Sequence, residues 1–203
     1  MMSYSLNNIN VASIVESSKL DLYQYRVYIG KHNILTDVRN SYWYIDKNVV
    51  ISSSGTGTHI NSDIVCTEIF GYTPETRTST YDRFTDLPYI NGCSSKQLIN
   101  PNRLGDPTWQ LLLLPPYTSE QKHHIHSTSR VVYVAEGCGK SIIGQVGKTV
   151  EVDLEPGTVI ILDKMVSHHF ITTDQHMLVL PLHIFSSTTS EKNHPMFNGT
   201  YET

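Results

Sequence analysis

The 203-residue chain can form one large β domain or two small ones, and its 39% hydrophobic and 17% charged residues argue against disorder. A net charge of −4 without any Lys/Arg-rich run excludes a general nucleic-acid binder, and no apolar run is long enough to cross a bilayer. Three cysteines without a Cys-x-x-Cys pair, and a first segment without a signal-peptide pattern, lead us to expect a cytoplasmic protein.

Strand patterns dominate the N-terminal part of the chain. The spacing of Val11, Ile14 and Val15 predicts a short helix near the start. From residue 19 to residue 29, polar and apolar side chains alternate, which is typical of a half-buried strand. Further strands are predicted at residues 41–45, 48–52 and 64–70.

The later part of the chain has the pattern of an antiparallel sandwich or jelly roll. Residues 71–107 carry four prolines and are predicted to be loops. Short apolar segments with Gly and Pro turns then predict strands at residues 109–114, 131–135, 140–143, 149–154, 158–162, 168–172 and 177–185, the last two as a pair. We expect a β-rich N-terminal extension wrapping a barrel (1–107), a barrel core (108–185) and a C-terminal tail (186–203).

Histidines are concentrated in the predicted core, since eight of the ten lie between His123 and His194. Side chains alternate along a strand, so His124 and His126 point the same way, about 7 Å apart. Two imidazoles on one face of a strand are natural ligands for a divalent metal ion.

The stretch around these histidines resembles the cupin family over roughly residues 108–185. The first cupin motif has a His-x-His pair, a Glu three or four residues later and a Gly closing the next hairpin. His124 and His126 match the pair, and residues 131–139 match the strand and turn after it. The second motif is usually Gly-x5-Pro-x-Gly-x2-His-x3-Asn, and Gly157 and His168 match its first Gly and its His.

This resemblance implies an all-β, cupin-like antiparallel jelly-roll β-barrel with an extra β-rich N-terminal region. His124, His126 and His168 would converge on its cavity and hold a divalent transition metal. Fe(II) is expected first, with Mn(II), Ni(II) or Zn(II) as alternatives. Cupins that keep three His ligands and lack the Glu include several dioxygenases, so the resemblance indicates a dioxygenase reaction.

The chain departs from both motifs. Asp163, Met165 and Thr172 replace the Pro, Gly and Asn of the second motif, and Arg130 stands where the Glu of the first would be. Two interpretations of Arg130 stay open. It clamps a substrate carboxylate or phosphate beside the metal, or the strand is shifted by one residue and Arg130 faces solvent.

Other residues are weaker candidates. His183 lies in an apolar strand and is either an acid/base group lining the cavity or a hydrogen-bonded core residue. Tyr117 and Glu120 precede the His pair and could reach the cavity mouth. Tyr117 is the candidate substrate contact, although both also fit ordinary loop residues. His123 and His169 should point away from the predicted ligands.

Three functional hypotheses follow from these patterns. The first is a mononuclear Fe(II) dioxygenase, an oxidoreductase, acting on a small anionic molecule. The second is a non-catalytic small-molecule binding or sensing protein, which Arg130 in the Glu position favours. The third is a metal-dependent lyase or isomerase. All three need a small-molecule partner and neither nucleic acid nor membrane, and the family resemblance leads us to expect a homodimer.

Overall fold

A computed structural model describes residues 4–19, 24–101, 105–184 and 200–202 of the chain. The regular elements are strands apart from a 3₁₀ turn at Ile90–Gly92, which confirms the predicted antiparallel all-β class. The strands are β1 (Tyr4–Asn8), β2 (Ser13–Glu16), β3 (Tyr25–Ile29), β4 (His32–Leu35), β5 (Ser41–Asp46), β6 (Val49–Ser54), β7 (His59–Ser62), β8 (Val65–Ile69), β9 (Arg77–Thr80), β10 (Leu87–Pro88), β11 (Ser94–Ile99), β12 (Thr108–Leu114), β13 (His124–His126), β14 (Ser129–Gly137), β15 (Gly139–Ile143), β16 (Val150–Leu154), β17 (Thr158–Leu162), β18 (His168–Ile171), β19 (Met177–Ile184) and β20 (Thr200–Glu202). Of the predicted tail, residues 186–199 and 203 lie outside the described residues.

The chain divides into two compact units, residues 7–82 and residues 1–6 with 83–203. The first has a six-stranded sheet in the order β2-β3-β8-β5-β6-β9 and a two-stranded sheet, β4-β7. Its buried Glu68 accepts hydrogen bonds from Asn40 Nδ2 and from the Tyr28 and Tyr42 hydroxyls. These three donors replace the water that the carboxylate loses on burial.

The second unit is a sandwich of two antiparallel sheets. The larger sheet runs β1-β17-β14-β19-β12-β11-β10, and the smaller runs β16-β15-β18-β13-β20. One apolar cluster joins their inner faces, with Leu112, Val132 and Val179 from the larger sheet and Ile143 and Phe170 from the smaller. This unit begins at Arg83, ahead of the predicted core start at residue 108, because β10 and β11 extend the larger sheet.

The turn between β14 and β15 depends on a glycine. Gly137 has φ +68°, and a Cβ atom there would lie 1.7 Å from the carbonyl oxygen of His176. Both the left-handed backbone and this close approach exclude a side chain, so Gly137 fixes where the strand pair turns.

Three predictions about elements are wrong. Residues 71–107, predicted as loops, contain strands β9, β10 and β11, because pairing with neighbouring strands holds these segments extended. Residues predicted as a helix around Ile14 form strand β2, because β-branched Ile14 and Val15 suit a strand and pair with β3. Strands β18 and β19 do not pair with each other: β18 pairs with β13 and β15, whereas β19 pairs with β12 and β14. The connection between them therefore crosses from one sheet to the other.

Across the described residues, we find no helix with the length and apolar character needed to span a bilayer.

Candidate metal centre

Three histidines meet on the inner face of the smaller sheet. His124 and His126 lie two residues apart on β13, and His124 pairs with His168 on the neighbouring strand β18. All three side chains are buried, and their candidate ligand atoms lie within 4.8 Å of one another. The sequence prediction that these residues converge thus agrees with their placement.

Hydrogen bonds fix the orientation of two of the rings. Nδ1–H of His124 donates to the Lys122 carbonyl at 2.9 Å, and Nδ1–H of His168 donates to the Val166 carbonyl at 2.7 Å. With Nδ1 committed as the donor, each neutral ring keeps its lone pair on Nε2. These are assignments of tautomer from the hydrogen-bond network.

Burial and charge keep the cluster neutral. Burial, and next the positive charge of Arg130, lower the pKa of His124 to about 3. The same two causes hold the pKa values of His126 and His168 well below the usual value. Neutral imidazoles are the form that binds metal ions.

The three histidines fit a divalent metal ion. The Nε2 atoms of His124 and His126 are 2.9 Å apart. Metal–nitrogen bonds of about 2.0–2.1 Å at right angles would place two ligand atoms about 2.9 Å apart. Three buried, neutral, convergent imidazoles could therefore hold one ion, with positions left for another ligand.

Arg130 lies in the same cavity and does not face solvent. Along β14 it shares the inner face with Val132 and Val134 of the apolar cluster, and only 5% of it is exposed. Its Nη2–H donates to Nε2 of His168, whereas Nε–H has no acceptor among the described residues. Burial lowers the pKa of Arg130 to about 9, so the guanidinium is still charged at neutral pH.

His183 also lines this cavity. It lies on β19 directly opposite Arg130, and its ring centroid is 5.9 Å from that of His126. Burial, and then Arg130, hold the pKa of His183 well below its usual value. The ring is therefore a neutral group within reach of the cavity.

Glu120 lies beside the histidine cluster, although its place in the sequence also fits an ordinary loop residue. Only 3% of it is exposed, and its Oε1 lies 3.5 Å from Nε2 of His124. Its backbone N–H donates to the Phe170 carbonyl at 3.0 Å, which ties Glu120 to strand β18. Burial raises the pKa of its carboxyl to about 7, against the lowering effect of Arg130. An acidic residue four positions before the first His was the available signal, but neither motif includes that position.

The remaining candidates lie elsewhere. Tyr117 is 81% exposed and does not line the cavity, so its substrate contact stays a prediction. His123 and His169 point away from the cluster and approach each other, with 2.9 Å between their Nδ1 atoms. The cavity is lined by Tyr89, Leu112, Glu120, His126, Arg130, Phe170, Pro181 and His183.

The departures from the second motif have visible consequences. Met165 stands at the motif glycine and adopts φ +64°, and its N–H donates to the His126 carbonyl at 2.7 Å. Thr172 stands at the motif asparagine. Its Oγ1 donates to the Pro115 carbonyl and accepts from the N–H of Thr118, which holds the loop before β13.

Comparisons with known proteins agree with this architecture. A cupin-domain family model matches residues 110–185, whereas a search of curated proteins found no match. A cupin 2 conserved barrel domain protein from Leptotrichia buccalis has a TM-score of 0.58 and 13% identity, covering 89% of this chain and 96% of that one.

Two enzymes also share the fold. HEPD from Streptomyces albus, solved with 2-hydroxyethylphosphonate and Fe(II), has a TM-score of 0.59 and 8% identity over 93% of this chain and 77% of that one. Salicylate 1,2-dioxygenase from Pseudoaminobacter salicylatoxidans, solved as adducts with gentisate, has a TM-score of 0.57 and 10% identity over 90% and 81% of the two chains. The segment from residue 110 to residue 185 is therefore a cupin domain, folded as a jelly roll.

Proposed function

We propose that this protein is a metal-dependent enzyme, an Fe(II) dioxygenase that acts on a small anionic molecule. The convergence of the buried imidazoles of His124, His126 and His168 carries the proposal. Three neutral imidazoles with open positions suit Fe(II), Mn(II), Ni(II) or Zn(II). The names of two proteins with this fold, one solved with Fe(II) and one a dioxygenase, put iron first among the metals to test.

The chain's own residues would bind and orient the substrate. The metal, when bound, would polarise the substrate or activate O₂. Arg130 would donate to a carboxylate or phosphonate, because its buried guanidinium has a donor without an acceptor in the described residues. Leu112, Phe170 and Pro181 give the cavity apolar walls, which strengthen that interaction by lowering the local dielectric. Neutral His183 would accept a proton from the substrate at a ring nitrogen.

Oxygen consumption tests the proposal. The full chain would be loaded anaerobically with Fe(II) and mixed with a panel of small carboxylates, phosphonates and thiol carboxylates before O₂ is admitted. We expect O₂ uptake with at least one class of anion and a fall to background in His126→Ala. His59→Ala, an exposed change on β7, should keep the wild-type rate. O₂ uptake by a metal-free His126→Ala variant equal to wild type would contradict the proposal.

A lyase or isomerase would use the same ligands without O₂. Turnover of an anion by the metal-loaded chain under argon, lost in His126→Ala, would assign that class instead of a dioxygenase. The metal would then act only as a Lewis acid.

A second candidate function is a non-catalytic anion binder. The contact between Arg130 Nη2 and Nε2 of His168 favours it, because the guanidinium holds an atom that a metal would need. A protein of this kind would bind a small anion with the same affinity in the presence and absence of a chelator. It would show no turnover with any metal.

We also propose that the protein works as a cytoplasmic homodimer. The free state of Cys66, Cys93 and Cys138 supports a reducing compartment. Edge strands such as β16, where 46% of Val150 is exposed, offer a pairing surface. Sedimentation of the purified chain at several concentrations tests the dimer.

A further inference from the structure

Arg130 and a metal ion would compete for one lone pair. His168 donates its Nδ1–H to the Val166 carbonyl, so Nε2 carries the only lone pair of the ring that a cation can use. Arg130 Nη2–H donates to this atom. A metal at Nε2 and the hydrogen bond from Arg130 therefore exclude each other.

The charges in the cavity decide what a bound metal ion would do to Arg130. Among the described residues that line the cavity, Arg130 carries a permanent positive charge, and the carboxyl of Glu120 can offset no more than that one charge. The three histidines are neutral, so they do not offset the charge of a metal ion. A divalent ion would add two uncompensated positive charges beside a buried guanidinium, and an anion between them would relieve that repulsion.

The guanidinium is also short of acceptors. Its Nε–H has none among the described residues, and once Nη2 leaves His168 a second donor becomes available. Two donors on one planar fork match the two oxygens of a carboxylate or a phosphonate. The residue that a metal displaces is thus able to bind an oxyanion.

We infer that Arg130 couples two binding events in this cavity: a metal ion displaces its guanidinium from His168, and the released guanidinium then binds a small carboxylate or phosphonate. This inference rests on the proposed metal site and adds a coupling to it. Coupling between two ligands is reciprocal, so the metal tightens anion binding by the same factor by which the anion tightens metal binding.

Calorimetric titration of the chelator-stripped full chain with Mn(II) tests the coupling. Titrations would be run with and without excess methylphosphonate at one ionic strength. In wild type we expect the Kd for Mn(II) to fall at least about tenfold when methylphosphonate is present. Weak pairing of Mn(II) with methylphosphonate in solution lowers the apparent affinity, so it works against this result.

Variants separate the exchange from a structural role. In Arg130→Gln the competing cation is gone, so without methylphosphonate this variant should bind Mn(II) several-fold more tightly than wild type does. Its Kd should not respond to methylphosphonate. Arg83→Gln, which removes an exposed arginine paired with Glu136, should behave as wild type. Circular dichroism would show whether each variant is folded. Arg130→Lys keeps the positive charge but loses the two-donor fork of the guanidinium, so it is a milder substitution for the same comparison.

The outcomes are distinct. Mn(II) binding by wild type that is the same with and without methylphosphonate would overturn the coupling and leave the proposed metal site intact. Weaker Mn(II) binding by folded Arg130→Gln in the absence of the anion would overturn the exchange at His168. If wild type binds no Mn(II), Fe(II) or Zn(II) under either condition, both this inference and the proposed function are wrong.

Discussion

At the scale of single residues, the tautomers of His124 and His168 explain why their Nε2 lone pairs point into the cluster. Carbonyl groups of Lys122 and Val166 take the Nδ1 protons of His124 and His168, which leaves Nε2 as the outward lone pair. A ligand ring held in this way has its orientation fixed before any ion arrives.

The buried histidines make the stability of the chelator-stripped protein sensitive to acid. The folded-state pKa of His124 is about 3 against an ordinary value of 6.5, and those of His126 and His168 are lowered as well. Between pH 6.5 and 3 the unfolded chain therefore binds more protons than the folded chain. The stability that the folded chain gains from these neutral histidines is fully present above pH 6.5. It is lost progressively as the pH falls below that value.

Glu120 opposes this trend over part of the range. Its folded-state pKa is raised from 4.5 to about 7, so between these values the folded chain binds the extra proton and gains stability as the pH falls. Between pH 7 and 5, His124 loses about 2 kcal/mol of stability and Glu120 regains about 2 kcal/mol. The lowered pKa values of buried His126, His168 and His183 add further losses, so we expect urea denaturation to show a net fall in the free energy of unfolding. An unfolding free energy that is flat or rises from pH 7 to 5 would contradict the assigned protonation states.

Sequence reasoning found His124 and His126 because their spacing on one strand is a local property, and found His168 through the resemblance to the second cupin motif. It could not decide between the two interpretations of Arg130, since a one-residue register shift reverses the face of a strand. The structure places Arg130 inward, beside Val132 and Val134 on the same face of β14. Glu120 lies in a loop whose path depends on contacts with β18 and Thr172, which no local pattern records.

At the scale of elements, alternation predicted most strands, but not which sheet each one joins. Strands β18 and β19 are close in sequence and both have buried side chains, so the pattern could not distinguish a hairpin from a crossing between sheets. Strand β11 was missed because it lies among the prolines of residues 71–107. Its place is fixed by pairing with β12, a contact between segments rather than a feature of either one.

The loop before β18 gives a prediction about Met165. A glycine there would remove the cost of a left-handed backbone, about 1–2 kcal/mol for a residue with a Cβ. A glycine would also give the unfolded chain more backbone entropy, which lowers the free energy of unfolding by about 0.5–1 kcal/mol. Because 58% of Met165 is exposed, little packing is lost. We therefore expect Met165→Gly to raise the free energy of unfolding by about 0.5–1 kcal/mol in urea denaturation.

The neighbouring exposed residue provides the matched control. Lys164 does not have a positive φ, so Lys164→Gly gains nothing from a left-handed conformation and should lower the free energy of unfolding. Equal destabilisation in both variants would show that the backbone at Met165 is not strained.

At the scale of the whole molecule, the three clustered histidines come from adjacent strands of one sheet while Arg130 and His183 come from the other. The apolar cluster between the two sheets holds these groups against each other. Among the described residues one cluster of histidines could hold a metal, so the account predicts one ion per chain.

Elemental mass spectrometry of the chain purified without a His-tag tests the central claim most directly. Wild type should carry close to one transition-metal ion per chain, as isolated or after anaerobic reconstitution, and His126→Ala should carry almost none. His59→Ala, with an exposed histidine removed from β7, should keep the metal. A wild-type chain that stays metal-free after reconstitution with Fe(II), Mn(II) and Zn(II) would contradict the account and leave Arg130 at the centre of a metal-free anion site.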